Sequence, residues 1–198
     1  MINPLLSLGD ALHSAVMTIL THTRLWRFLF TPAPETYPAH ALFVALSDAA
    51  RNPFLYREAA VADTIDGRFD LLVVHLFLTL ERVRTEPESD ALQRALLECF
   101  FSSLDRSLRE MGVADLGVGR RIRKMADAAK GRLTRYVKDW SEQESRLKAL
   151  TDNVYRGDTD RASQGGAALL TQLVQFEQLL ADTSYAALLK GTLGRIAA

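Results

Sequence analysis

Three carboxylates and a guanidinium fall within one short stretch of the 198-residue chain: Asp63, Asp66, Arg68 and Asp70. On a helix, residues three and four apart share a face, so Asp66 and Asp70 would stand together. Two carboxylates so placed can divide general-acid and general-base work. The same residues also have a plainer use, because acidic side chains in a first turn satisfy free backbone N–H groups and suit the positive end of the helix dipole. Asp63 is expected to cap this helix, with Asp66 three residues on in a variant of the capping box. The other reactive side chains are scattered. His13, His22, His40 and His75 show no metal-ligand spacing, and His75, inside the apolar run Leu71 to Leu80, reads as a hydrogen-bonded core residue. Cys99 has no second cysteine to pair with and no identifiable base, so it reads as structural. Gly117-Val118-Gly119 lacks the third glycine, the Gly-Lys-Ser/Thr and the preceding strand of a nucleotide loop, and is expected to be a glycine-hinged helix start. No catalytic residue, cofactor site or metal site is assigned.

The stretch that resists a purely structural account is Gly119 to Lys138. It carries Arg120, Arg121, Arg123, Lys124, Lys130, Arg132, Arg135 and Lys138 against one acid, Asp127. Helix faces solvated for their own sake usually alternate in sign; this one does not. A one-signed ridge on an amphipathic helix suits an anionic surface, either nucleic-acid phosphates or acidic lipid headgroups. No aromatic residues interleave on the basic face, so base stacking is not indicated; binding would be salt-dependent backbone electrostatics. DNA is not an expected partner.

These residues need helices to hold them, and the punctuation for helices is clear. An apolar segment from Gly9-Asp10 to Phe30 is stopped by Thr31-Pro32-Ala33-Pro34. A second helix is expected from Tyr37-Pro38 to just before Asn52-Pro53. The third begins at Asp63 and carries Phe69, Leu72, Val73, Leu76, Leu80 and Val83 on one side and Leu71, Val74 and Leu78 on another, so it should be central. Pro87 ends it. A fourth runs from Ser89-Asp90 with a buried stripe from Leu92 to Met111, and Gly112 is its natural C-cap. The basic helix has its own stripe, Val118, Ile122, Met125, Ala129, Leu133, Tyr136, Val137 and Trp140, and the pattern can be followed onward through Leu147, Leu150 and Val154. A break at Gly157-Asp158 and a loose stretch near Gly165-Gly166 precede two more helices, about 167–180 and 185–196.

Composition agrees with this reading. The chain has 32 Leu and 26 Ala against 11 Val and 5 Ile, a balance tilted toward helix formers. The expected fold is all-α, a single compact bundle-like domain of about seven helices. Its expected parts are an N-terminal helix and proline hinge (1–34), a helical core (35–156) and a C-terminal helical pair packed on the core (157–198). The 24 basic and 24 acidic side chains cancel. The cancellation is regional: 119–138 carries +7 and the remaining 178 residues carry −7. A protein basic throughout is excluded; one cationic face that docks is not. The longest apolar run is too short for a bilayer span, and residues 1–30 fit neither a secretory signal nor an Arg-rich transit peptide. A soluble protein is expected, with a peripheral membrane association left open.

Two long motifs extend the reading. Ala49 to Pro53 with Tyr56, followed by Asp63-Thr64-Ile65-Asp66-Gly67-Arg68-Phe69-Asp70-Leu71-Leu72-Val73-Val74-His75-Leu76, resembles the ubiquinol-cytochrome c chaperone family, the assembly factors of the respiratory bc1 complex. Asp105 to Val113, continuing as Asp115 to Gly119 and into the basic stretch with Lys124-Met125, is similar to the same family in the same order. The chain departs from the family pattern at Ala129-Lys130-Gly131-Arg132, where an aromatic pair usually precedes Gly-Arg.

The resemblance implies a non-enzymatic chaperone of bacterial type, working in the cytoplasm or peripherally at the inner face of the membrane. Mitochondrial family members stabilise newly made cytochrome b early in assembly and associate with the ribosome near the tunnel exit, together with a small partner protein. For this chain the expected partners are cytochrome b or other bc1 subunits, with ribosomal RNA or an acidic membrane as the docking surface. The candidate partner-binding residues are Arg120, Arg121, Arg123, Lys124, Arg132, Arg135, Asp63, Asp66, Arg68 and Asp70. Two other classes stay open from the residues alone. One is a small-molecule binder or enzyme using Asp66, Arg68 and Asp70, and the other is a simple anionic-surface tether.

Overall fold

A computed structural model of the chain describes residues 38–87, 89–112 and 115–193. The expected N-terminal helix and its proline hinge lie outside them. Eight helical segments occur among the described residues, and no strand. Six are long: α1 (Pro38–Ala49), α3 (Ile65–Arg84), α4 (Asp90–Glu110), α5 (Asp115–Asp139), α6 (Gln143–Asn153) and α7 (Thr159–Asp182). Two are single turns, α2 (Phe54–Arg57) and α8 (Tyr185–Leu188).

Helix α3 is the axis, as its all-round apolar pattern requires. Leu71, Val73, Val74, Leu76 and Val83 are fully buried, and α1, α4, α5 and α7 all pack against it. On its α5 side, Phe77 meets Tyr136 and Trp140 with ring centroids 5.4 and 5.3 Å apart, and the latter two rings meet each other edge-on at 5.5 Å. On its α7 side, Arg82 sends Nε to the carbonyl of Leu180 and Nη2 to that of Thr183, each at 3.0 Å. Those carbonyls sit at the end of α7, where a cation both satisfies free acceptors and meets the negative end of the dipole.

The expected last helix, about 185–196, gives only the single turn Tyr185–Leu188 among the described residues, and helix boundaries depart from expectation in four other places, each with a local cause. The cap of α3 is Thr64, whose Oγ1 accepts from the Gly67 N–H at 3.1 Å, and not Asp63. Gly117 and Gly119 lie inside α5, which begins at Asp115, so they are no hinge at its start. The stripe past Trp140 does not continue one helix: the chain turns, Glu142 is extended, and Arg146 Nε donates to the freed Trp140 carbonyl while its guanidinium covers the indole at 5.2 Å. Gly165-Gly166 is not loose but interior to α7. A Cβ on Gly165 would stand 2.1 Å from the Ala59 carbonyl oxygen, so the glycine lets a helix lie directly on backbone. That carbonyl also accepts the Tyr155 hydroxyl at 2.6 Å.

Candidate functional site

The acidic stretch that opens α3 is held by one close backbone approach and four ion pairs. Gly67 presses its first turn against the preceding chain, where a Cβ would come within 2.0 Å of the Ala62 carbonyl oxygen. One turn of helix then distributes the charges. Asp63 and Arg68 pair with each other in solvent at 2.7 Å, and the contact holds the Asp63 carboxyl below its usual value and the Arg68 guanidinium above its own. Asp66 faces Arg156, with Nη1 to Oδ2 at 3.0 Å. Asp70, with no accessible surface, stands between two guanidiniums: Arg132 Nε lies 2.7 Å from Oδ1 and Arg156 Nε 3.1 Å from Oδ2. Burial raises the Asp70 carboxyl above the usual carboxylate range, and the two arginines oppose that rise.

Arg156 reaches this position at a conformational cost. It has φ +56° and Gly157 after it has φ +81°, so the chain leaving α6 passes through two consecutive left-handed residues. A left-handed arginine is uncommon, and here the reward is a side chain that ties the α6–α7 turn to α3. Arg132 contributes from α5, with its guanidinium 5.4 Å over the Phe69 ring. Three parts of the fold therefore meet at one buried carboxylate.

Beside this cluster runs an open trough between the start of α3, the end of α4 and the first half of α5. It consists of two hollows, of about 220 and 540 Å³, which share Ile65, Phe69, Leu108, Met111 and Met125. The floor is well packed, with Phe69 at 7% and Leu108 at 3% exposure; the lip is not, with Ile65 at 61% and Met111 at 45%. Met111 was expected to close the buried stripe of α4 and instead leaves it. Arg51 and Arg68 border the smaller hollow, and Arg121, Lys124, Arg132 and Arg156 the larger.

The ten candidate partner-binding residues thus do not form one surface. Arg120, Arg121, Arg123 and Lys124 are exposed on α5. Arg132 is turned inward on Asp70, and Arg135 is paired with Asp139 and, at 3.0 Å, with Asp152. Asp66 borders one hollow and Arg68 the other, while Asp70 is sealed beneath, so these three do not converge on a common cavity. His75 is buried with Nδ1 2.8 Å from the Leu71 carbonyl oxygen and its ring 4.8 Å from that of Phe176, and burial pushes its pKa down to about 4. It is neutral at physiological pH. Burial and the neighbouring Glu98 carboxylate push the Cys99 thiol up to about 11, which suppresses the thiolate. No cluster of His, Cys, Asp and Glu among the described residues could hold a metal ion.

Comparison with known proteins agrees with the two motifs in α3 and α4–α5. The family model described as ubiquinol-cytochrome C chaperone matches residues 57–196, which include the whole ion cluster and most of the trough. The chain belongs to the ubiquinol-cytochrome C chaperone family. The crystal structure of the Cbp3 homolog from Brucella abortus is similar over 98% of this chain and 97% of that one, with 27% identity and a TM-score of 0.64. No curated protein gives a significant match. No helix among the described residues is long and apolar enough to cross a membrane.

Sequence reasoning missed Arg156 and the lip of the trough. The signal for Arg156 was present, since Gly157 marked a break and a basic residue at such a turn is free to swing onto a neighbouring acid. For Ile65 and Met111 the sequence carried no distinguishing mark: each continues an apolar pattern that the core could have absorbed.

Proposed function

We propose that this family member is a non-enzymatic assembly chaperone for the respiratory bc1 complex, holding newly made cytochrome b or another membrane-protein client. The observation that carries the reading is the trough: a packed apolar floor and a partly exposed apolar lip in the region covered by the family match. The side chains with chemical potential are committed elsewhere. Asp70 joins helices, Thr64 and Asp63 shape a helix start, and His75 and Cys99 are buried in unreactive protonation states. The exposed cations at the start of α5 supply a second, electrostatic surface for ribosomal RNA or acidic lipid, and its binding would fall steeply with salt.

The test is affinity capture of the tagged protein from membrane extracts of cells making the bc1 complex. Enrichment of cytochrome b or other bc1 subunits is expected. Capture that leaves those subunits at background, while the complex is being assembled, would sink the reading.

A further inference from the structure

We infer that the trough takes an acidic amphipathic helix of a partner polypeptide. The inference deepens the chaperone reading by naming the chemistry of the occupant. Its first support is shape. The apolar side chains Phe69, Leu108 and Met125 line a concavity, with Ile65 and Met111 at its lip. A planar bilayer cannot enter a concave floor, whereas a helix laying one apolar stripe into a groove fills it. Two methionines suit that use, since their unbranched, polarizable side chains repack around different partners.

The second support is charge. The cations beside the trough fall into two sets. Arg51, Arg68, Arg132 and Arg156 are already paired with Asp48, Asp63, Asp70 and Asp66. Arg121 and Lys124 have no ion-pair partner among the described residues, and both border the larger hollow. An apolar groove with two uncompensated cations along one side matches a helix that is apolar on one face and acidic next to it. A basic amphipathic helix would meet like charge along that edge. The chain's own residues 1–37 do not supply the match, since they carry Arg24 and Arg27 against Asp10 and Glu35.

The experiment measures fluorescence anisotropy of labelled synthetic helices against the purified full chain. One helix of about 18 residues, five turns, has leucine on one face and glutamate on the other; its counterpart replaces every glutamate with lysine. The glutamate helix should bind at least about tenfold more tightly than the lysine helix, and more weakly as salt rises. Arg121→Glu with Lys124→Glu should reduce its binding by about tenfold or more. Ile65→Asp should do the same without unfolding the protein, because an acid in the first turn of α3 favours that helix; circular dichroism checks the fold. Equal binding of both helices, or glutamate-helix binding indifferent to these variants, overturns the inference. So does variant-sensitive binding to phosphatidylcholine–phosphatidylglycerol vesicles in the absence of any binding to the glutamate helix. Failure of the two readings can be told apart. Client capture abolished by Ile65→Asp but no glutamate-helix binding rejects the acidic occupant alone, whereas glutamate-helix binding without capture of any bc1 subunit rejects the client.

Discussion

The two halves of α5 carry four basic side chains each and do different things with them. In the C-terminal half, Arg132 is anchored to a carboxylate with no accessible surface and Arg135 bridges Asp139 and Asp152, while the neighbouring Tyr136 is fully buried against Phe77. In the N-terminal half, Arg120, Arg121 and Lys124 stand exposed, and Arg121 and Lys124 edge an apolar trough. The number of cations does not separate the halves. What separates Arg132 and Arg135 from Arg121 and Lys124 is whether a neighbouring element among the described residues offers an acid: α3 and α6 do so for the first two. A cationic helix is therefore not one surface but a structural clamp continued by a free edge.

The strongest way to break the contrast is to remove the clamp. Arg132→Ala leaves Asp70 buried with Arg156 alone, and loss of one partner of a buried pair costs about 3–5 kcal/mol. Urea denaturation should show it as a large drop in midpoint with unchanged slope. The pH dependence has a definite sign. Because the folded protein holds the Asp70 carboxyl above its unfolded value, the folded state keeps this proton longer, and the group's contribution to stability falls as pH rises through that interval. Removing Arg132 raises the carboxyl further, so the variant should be damaged more at pH 8 than at pH 5. A variant as stable as the parent, or one equally damaged at both pH values, would show that Asp70 does not depend on the α5 arginine.

His75 tests the same distinction on α3, between a titratable group that the fold consumes and one left to function. Its pKa of about 4 lies below the ordinary histidine value, so the unfolded chain binds the proton first as pH falls. Stability linked to His75 is complete above about pH 6.5 and is lost progressively toward pH 4, by about 3 kcal/mol in all. Parent and His75→Gln proteins compared by denaturation at pH 7, 5.5 and 4 should differ in slope, with the variant flatter. Parallel profiles would mean that His75 is not neutral and buried in solution.

How much of this was legible in the chain follows from what each residue needed to declare itself. The centrality of α3 was legible because an apolar residue on every face of a helix has only one physical solution, neighbours on every side. The Gly112 stop was legible for a similar reason, and its φ of +74° agrees. The inward turn of Arg132 was not, because a guanidinium on a long stem can snorkel to solvent or fold back onto an acid distant in sequence, and the local sequence looks the same in both cases. Gly165 was misread for the opposite reason. A glycine pair normally weakens a helix, and only the Ala59 backbone lying against it, from a segment about a hundred residues earlier, makes the missing Cβ an advantage. The trough had the weakest signal of all, since it is made of ordinary core-type residues that three helix ends happen to leave uncovered.

Arg135 is expected to fall between the extremes of α5. Its side chain is 37% exposed and its acids are partly solvated, so Arg135→Ala should cost about 1 kcal/mol or less and lose sensitivity in high salt. A loss as large as that of Arg132→Ala would extend the clamp along the helix and erase the graded contrast.

The smallest stability effect belongs to the free edge. Arg121→Ala with Lys124→Ala removes two cations that no acid among the described residues engages, so the denaturation midpoint should move by no more than about 0.5 kcal/mol in stability. Their removal could even stabilise slightly, because it relieves like-charge crowding with Arg120 on the same exposed turn. The comparison is sharpest when this pair is set beside Arg132→Ala: one substitution should destabilise the protein without changing what its surface attracts, the other should change what the surface attracts without destabilising it. Measuring stability and retention on an anionic resin for both variants gives the two axes directly. A double alanine variant that loses several kcal/mol would show that Arg121 and Lys124 are structural after all, and the distinction between clamp and edge would collapse.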